Sequence, residues 1–179
     1  MSSFEIPLLR GDRIILRAHK TEDFMPALEM WSDEATTRYI HNTPLSRHAT
    51  WMKIIRFTGL WAFLGYGYWA IEHAETGEYI GQAGFADFKR DLKPFLPIMP
   101  EAGWAIHPAF GGKGYATEAM HTAFEWFDNA LFYKRSFCLI HPDNAASFRV
   151  AEKLGFRDLH HVDLGLDTTV ALIRHRTTE

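Results

Sequence analysis

The sequence predicts an α/β fold, a mixed β-sheet flanked by helices, and three observations carry that reading. Runs of apolar–polar alternation are interleaved with runs of helical periodicity, in the order β-α-α-β-β-β-α-β-α-β-β. A glycine-rich stretch, Gly111-Gly112-Lys113-Gly114-Tyr115-Ala116-Thr117, joins a strand-like run at residues 101–107 to a strongly periodic helix. The 179 residues, 47% of them hydrophobic and 23% charged, suffice for one domain with a sizeable core, and no repeat or linker-like tract divides them.

Ile14-Ile15-Leu16 forms a first strand within residues 13–18. Thr21-Glu22-Asp23 caps a helix that runs through Leu28, Met30 and Trp31, with Pro26 in its first turn. Thr43-Pro44-Leu45-Ser46 ends that region. Ser46 caps a second helix bearing Trp51, Ile54, Ile55 and Phe57, whose end Gly59 weakens. Residues 66–72 alternate as a strand, Glu75-Thr76-Gly77-Glu78 makes a turn, and residues 79–88 return as the antiparallel partner. Residues 89–100 carry Pro94, Pro97 and Pro100. Prolines cannot donate to a central ladder, so this segment reads as a loop and a candidate flap facing substrate.

Beyond the glycine stretch, Ala116, Ala119, Met120, Ala123, Phe124 and Phe127 recur at i, i+3, i+4, i+7 spacing, so a helix with one buried face starts near Gly114. A strand at 135–140 and a polar turn, His141-Pro142-Asp143-Asn144, precede a short helix with Val150, Ala151 and Leu154 on its apolar side. Gly155 suits the left-handed position after that helix, and Phe156 packs back on its last turn. Two strands, about 157–164 and 166–175, close the chain.

A formal net charge of −3, with lysines and arginines scattered, offers no broad basic face, so nucleic acid is not an expected partner. The longest apolar runs are too short and interrupted to span a bilayer. Met1-Ser2-Ser3-Phe4-Glu5 lacks the basic and apolar segments of a secretory signal. A soluble, cytoplasmic protein without a membrane partner is expected. Cys138, the one cysteine, reads as a small buried thiol and excludes an internal disulfide. Ten histidines show no His-Glu-x-x-His or paired Cys-His spacing, and His160-His161 on a strand point to opposite faces, so no metal is expected. Trp51, Phe57, Trp61, Phe63, Tyr66, Tyr68 and Trp69 are core material, with one or two available to line a ligand pocket.

The glycine stretch has two readings, a turn that joins strand to helix or a phosphate cradle. The cradle reading rests on the first amides of a helix, which lack intrahelical partners, and on glycines that leave them unobstructed beside the positive end of the helix dipole. The Lys113 ammonium is a further candidate contact. A nucleotide-hydrolysing P-loop needs Ser or Thr after Gly-Lys, whereas Lys113 is followed by Gly114. The dinucleotide fingerprint needs a glycine at Thr117 and a place near the chain's first strand. Neither loop fits.

Three blocks resemble the GNAT superfamily of acyl-CoA-dependent N-acyltransferases, in particular its ribosomal-protein N-terminal acetyltransferase branch. They are the opening Leu9-Arg10-Gly11-Asp12-Arg13-Ile14-Ile15-Leu16-Arg17, the block from Gly103-Trp104 through Pro108 to Ala119, and the segment from Asn144 to Phe156. The resemblance implies one acyl-CoA N-acyltransferase domain over residues 1–179. Its sheet would be mostly antiparallel, with about seven strands flanked by about four helices. An acyl-CoA cleft would lie between the splayed fourth and fifth strands, those of Glu101 and Arg135.

The superfamily's loop, Gln or Arg, two residues, Gly, one residue, then Gly or Ala, maps onto Gly111, Gly114 and Ala116. Gly111 departs from it, yet an amide cradle survives the change because it uses N–H groups. Cofactor contacts are implied at Trp104, Ala105 and Ile106 for pantetheine, at Gly111, Gly112, Lys113, Gly114, Tyr115, Ala116 and Thr117 for the diphosphate, and at Asn144 and Ser147 from the other side. Attack of a neutral amine on a thioester requires a base. Glu101, acting through water, is its candidate, the alternative being a solvated strand-end charge. A main-chain N–H near Ile106 would stabilise the oxyanion, an effect of about 3 kcal/mol where such donors have been removed.

Many relatives place a thiolate-protonating tyrosine seven residues after the motif asparagine, but here Ala151 stands there. Ser147 is the nearest substitute, unless its hydroxyl bonds its own helix backbone. Arg149 and Lys153 read as a solvated basic face or as contacts to the cofactor's 3′-phosphate. The expected activity is acetyl transfer from acetyl-CoA to a primary amine, a protein or peptide N-terminal α-amine ahead of a small molecule such as an antibiotic or polyamine. The expected state is monomer or homodimer. A non-catalytic acyl-CoA-binding module and a simple nucleotide binder are the competing readings.

Overall fold

The computed structural model describes residues 5–94, 96, 99–164 and 168–176. The expected start of the last strand at Leu166, the Met1–Phe4 part of the N-terminal stretch, and Pro97 of the proline-bearing segment lie outside them.

Among the described residues eight strands form one sheet: β1 (Leu9–Arg10), β2 (Ile14–Arg17), β3 (Tyr68–His73), β4 (Tyr79–Ala86), β5 (Glu101–Ile106), β6 (Arg135–Ile140), β7 (Asp158–Asp163) and β8 (Thr168–His175). Their spatial order is β1-β2-β3-β4-β5-β6-β8-β7, antiparallel throughout except for the parallel contact of β5 with β6. The count exceeds the expected seven by β1, whose two residues are too short to show a periodicity.

Among the described residues five α-helices flank the sheet: α1 (Phe24–Ser32), α2 (Glu34–Thr37), α3 (Arg47–Leu64), α4 (Tyr115–Ala130) and α5 (Ala145–Lys153). The fifth, α2, is a single turn capped by Asp33, whose carboxylate accepts from Thr36 N at 2.7 Å. Ser46 caps α3 as expected, accepting from Ala49 N at 3.2 Å. Gly59, however, does not end that helix. A mid-helix glycine costs only about 1 kcal/mol, less than burial of Phe57 and Trp61 on either side of it provides. The helix stops at Gly65, which is left-handed with φ 73° and donates to Trp61 O. The next strand begins only at Tyr68, so Tyr66 lies outside β3, and Phe88 lies beyond the end of β4.

Alternation along the strands assigns the two faces of the sheet. Trp69, Ile71, Phe85 and Ala102 pack with Ala119, Met120, Ala123, Phe124 and Phe127 of α4. On the opposite face, Ala70, Tyr79 and Ala105 meet Ala27, Met30 and Trp31 of α1 and Ile54 of α3. Phe57 of α3 covers Tyr68 and Ala86 there. Consequently Glu101, Gly103 and Ala105 lie on the α1/α3 face of the strand, and Ala102, Trp104 and Ile106 on the α4 face. The β2 strand is anchored by Arg17, whose guanidinium donates twice to Asp23 at 2.8 Å and pairs with Glu72.

Candidate active site

The sheet opens where β5 meets β6. Among the described residues Glu101 and Phe137 are the one registered pair of those strands, supported by Phe137 N donating to Pro100 O at 3.0 Å. Past that pair the ladder ends. His107 N donates to Ile80 O on β4, so by alternation the main-chain groups of Trp104 and Ile106 face the gap, while those of Ala105 face β4. A cavity of about 860 Å³ occupies the gap and extends toward α3, with Gly103, Trp104 and Ala105 on one wall and Leu139, Ile140, Asn144 and Ser147 on the other.

At the far end of β5 lies the glycine loop. Gly112 and Gly114 take left-handed conformations, φ 73° and 85°, on either side of Lys113, and Gly114 opens α4. Gly111 N donates to Pro108 O at 3.0 Å, and Glu118 N donates to Gly114 O at 3.1 Å. Between them the amides of residues 112–117 have no protein acceptor among the described residues. Six consecutive free N–H groups at the mouth of a 16-residue helix form an anion site by geometry and by dipole.

The Lys113 ammonium instead donates to Ala109 O at 3.0 Å. The loop is held by Arg13, a residue without a sequence signal for this role. Its guanidinium donates to Lys113 O and to Glu118, lies over the Tyr115 ring, and its own N–H also donates to Glu118.

On the opposite wall Asn144 is the N-cap of α5, its Oδ1 accepting from Ser147 N at 3.1 Å. The Ser147 hydroxyl lines the cavity and has no hydrogen-bond partner among the described residues, so it is not committed to its own helix. Arg149 and Lys153 are exposed.

Glu101 is 7% exposed, and its two carboxylate oxygens accept from Arg90 at 2.6 and 2.9 Å. It is therefore a buried, paired carboxylate rather than a solvated one, though lone pairs remain on both oxygens for a water. Nearby on α3 stand Lys53 and Arg56, both on the cavity wall. Lys53 Nζ is 3.1 Å from His41 Nε2 and lies 4.2 Å from the centre of the Trp31 ring. Burial, with repulsion from Arg56 and Arg90, lowers its pKa to about 7. Burial and Lys53 likewise lower His41 to about 4, so its ring is neutral near pH 7.

Of the seven aromatics singled out in the sequence, Phe57 and Tyr68 line this cavity. Burial raises the pKa of the Tyr68 phenol and of the Cys138 thiol, so both are protonated near pH 7. The sequence reading did not single out Lys53, Arg56 or Arg90. A search for cations bordering the apolar stripe of α3 would have found the first two. Arg90 sits in the proline-bearing loop, and nothing in the spacing ties it to Glu101. Among the described residues no cluster of three metal-ligating side chains occurs, and no helix is long and apolar enough to cross a membrane.

The family profile described as Acetyltransferase (GNAT) domain matches residues 13–157 of this chain. The N-acetyltransferase YoaA of Bacillus subtilis, itself uncharacterized, is 29% identical over 153 residues, 84% of this chain and 83% of its own. A GNAT-family acetyltransferase from Bordetella pertussis is 30% identical, with a TM-score of 0.80 over 94% of this chain and 99% of its own. RimL, a ribosomal L7/L12 α-N-protein acetyltransferase solved with coenzyme A, shares the fold at 15% identity, with a TM-score of 0.73 over 94% of this chain and 98% of its own.

Proposed function

The chain belongs to the GNAT family of acetyltransferases, and on that premise we propose that it moves the acetyl group of acetyl-CoA onto a protein or peptide N-terminal α-amine. The observation that carries the reading is the run of amides at 112–117, without protein acceptors among the described residues, at the end of the strand where the sheet opens between β5 and β6. Acetyl-CoA would supply the activated acyl group as its thioester. Gly112, Lys113, Gly114, Tyr115 and Ala116 would bind its diphosphate through N–H groups, with Thr117 adding the next free amide and Gly111 closing the loop on Pro108. Trp104 and Ile106 would offer main-chain groups to the pantetheine arm, Ala105 packing beneath it and Asn144 facing it from α5.

Three residues would move or hold charge. Glu101 takes the proton of the incoming amine through a bound water, using lone pairs that Arg90 leaves free. A gap-facing main-chain N–H near Ile106, that of Trp104 being the nearer to Glu101, would donate to the oxygen on which charge develops. The Ser147 hydroxyl, unengaged by its own helix, donates toward the departing sulfur. The peptide reading is supported by the resemblance of the three sequence blocks to the ribosomal-protein branch. An antibiotic or polyamine acceptor would favour a wall of unpaired carboxylates, but Asp87 and Glu101 already hold Lys89 and Arg90. Release of CoA from acetyl-CoA, measured over a panel of peptides, aminoglycosides and polyamines, tests the assignment. Turnover confined to the peptides is the expected outcome, and turnover confined to the polycations would replace it.

A further inference from the structure

The α3 end of the cavity carries more positive charge than the fold neutralises. Among the described residues Lys53, Arg56, Asp87, Arg90 and Glu101 are the Lys, Arg, Asp and Glu side chains that line it. Each carboxylate is already taken, Asp87 by Lys89 and Glu101 by both nitrogens of an Arg90 fork. Lys53 and Arg56 are left, and among the described residues neither has a carboxylate within ion-pair distance. They stand three apart on α3, on one side of that helix. Arg56 and Arg90 both lie 4.9 Å from the centre of the Phe88 ring, which brings two guanidinium groups to one aromatic side chain. Like charges gathered in this way destabilise a fold unless something of opposite sign completes them. Burial first, and repulsion from Arg56 and Arg90 second, lower the proton affinity of Lys53.

This cluster is not at the diphosphate loop. Glu101 and Ile106 end β5 on opposite sides, about 17 Å apart along an extended strand, and the cations flank Glu101. On the reading that the protein acetylates an amine, we infer that the acceptor carries a carboxylate close to its amine, held by Arg56 and Lys53 while the amine faces Glu101. An anion docked there gives Lys53 the counter-charge it lacks, and the Arg56 fork matches a carboxylate with two parallel hydrogen bonds. A polycationic acceptor would meet the same two cations and be repelled.

The test compares near-isosteric acceptors by CoA release. The peptide pair is Ala-Asp-amide against Ala-Asn-amide, and the free pair is aspartate against asparaginamide, in which both carboxylates are replaced by amides; the two pairs separate a peptide source of the carboxylate from an amino-acid source. The expected result is a kcat/KM at least tenfold higher for the acidic member of at least one pair. In Arg56→Gln that ratio falls toward one while acetyl-CoA affinity, measured by calorimetry, is retained. A wild-type ratio at or below one in both pairs, with other amines turned over, overturns the carboxylate assignment and leaves acetyl transfer standing. If acetyl-CoA binds but no amine in the panel turns over, titration of Ala-Asp-amide and aspartate into the CoA-loaded protein decides: binding lost in Arg56→Gln supports the assignment, and absence of binding overturns it. Failure of acetyl-CoA to bind overturns the acetyl-transfer reading and this inference with it. Lys53→Met, which removes the charge of a half-buried side chain and keeps an apolar one of similar length against Trp31, is expected to fold and to lower the same ratio.

Discussion

The phenol oxygen of Tyr68 stands 2.1 Å from the point where a Cβ on Gly103 would lie. Tyr68 cannot swing away, because its ring stacks on Phe57 at 4.3 Å and is buried beneath α3. The glycine therefore lets a protonated phenol lie against the wall of the gap. Gly103→Ala should cost about 1–3 kcal/mol by overpacking, read as a fall in Tm of roughly 2–4 °C per kcal/mol for a chain of this size. Tyr68→Phe in the same chain should recover part of that loss, since it removes the nearest atom.

Gly114 is constrained for a different reason. At φ 85° it occupies a conformation that costs other residues about 1–2 kcal/mol, whereas a Cβ there would meet only Arg13, at 3.5 Å. Gly114→Val should thus lose acetyl-CoA affinity by moving the amides rather than by filling the cradle. Calorimetry should show at least a tenfold weaker Kd in a protein that still melts cooperatively. Unchanged affinity would detach the loop from the cofactor.

Glu101→Gln should lower kcat about a hundredfold or more, the usual worth of a positioned acid or base, with acetyl-CoA affinity retained. Because the substitution also breaks the Arg90 pair, Arg90→Met serves as its control. The two variants should lose similar thermal stability, and only Glu101→Gln should lose most of its turnover. Equal turnover losses would reduce Glu101 to a structural partner of Arg90.

His19 sets an acid limit on stability. Its imidazole is 1% exposed, stacks on Phe57, and has no hydrogen-bond partner on either nitrogen among the described residues. Burial lowers its pKa to about 4, only partly opposed by Asp23. Between about pH 6.5 and 4 the unfolded chain binds a proton that the folded one refuses, so stability should fall as pH falls through that window. The loss from this group is at most about 3 kcal/mol. His41, lowered in the same direction, adds to the slope. His19→Phe should flatten the decline of Tm between pH 7 and 5 without abolishing it.

How much of this was legible in the sequence depends on the range of the interaction. Local signals located the elements well: Ser46 capping α3, the periodic face of α4, and Gly155 in the left-handed position after α5, at φ 84°. Elements of two to four residues, β1 and α2, carry no periodicity to read, and Gly59 suggests a weakened helix end although tertiary burial outweighs its propensity and α3 runs on to Leu64. At the site, the amide cradle could be read because it is built from consecutive residues. The Arg90–Glu101 fork and the Arg13 clamp on Lys113 and Glu118 could not, since folding joins segments whose separation carries no pattern.

The reading of the site depends on main-chain donors at the mouth of α4. A crystal structure of the protein grown with acetyl-CoA tests this most directly. It should show the diphosphate within hydrogen-bond distance of the N–H groups of Gly112 to Ala116, with the pantetheine arm between β5 and β6. A diphosphate bound elsewhere, with those amides turned to solvent, would contradict it.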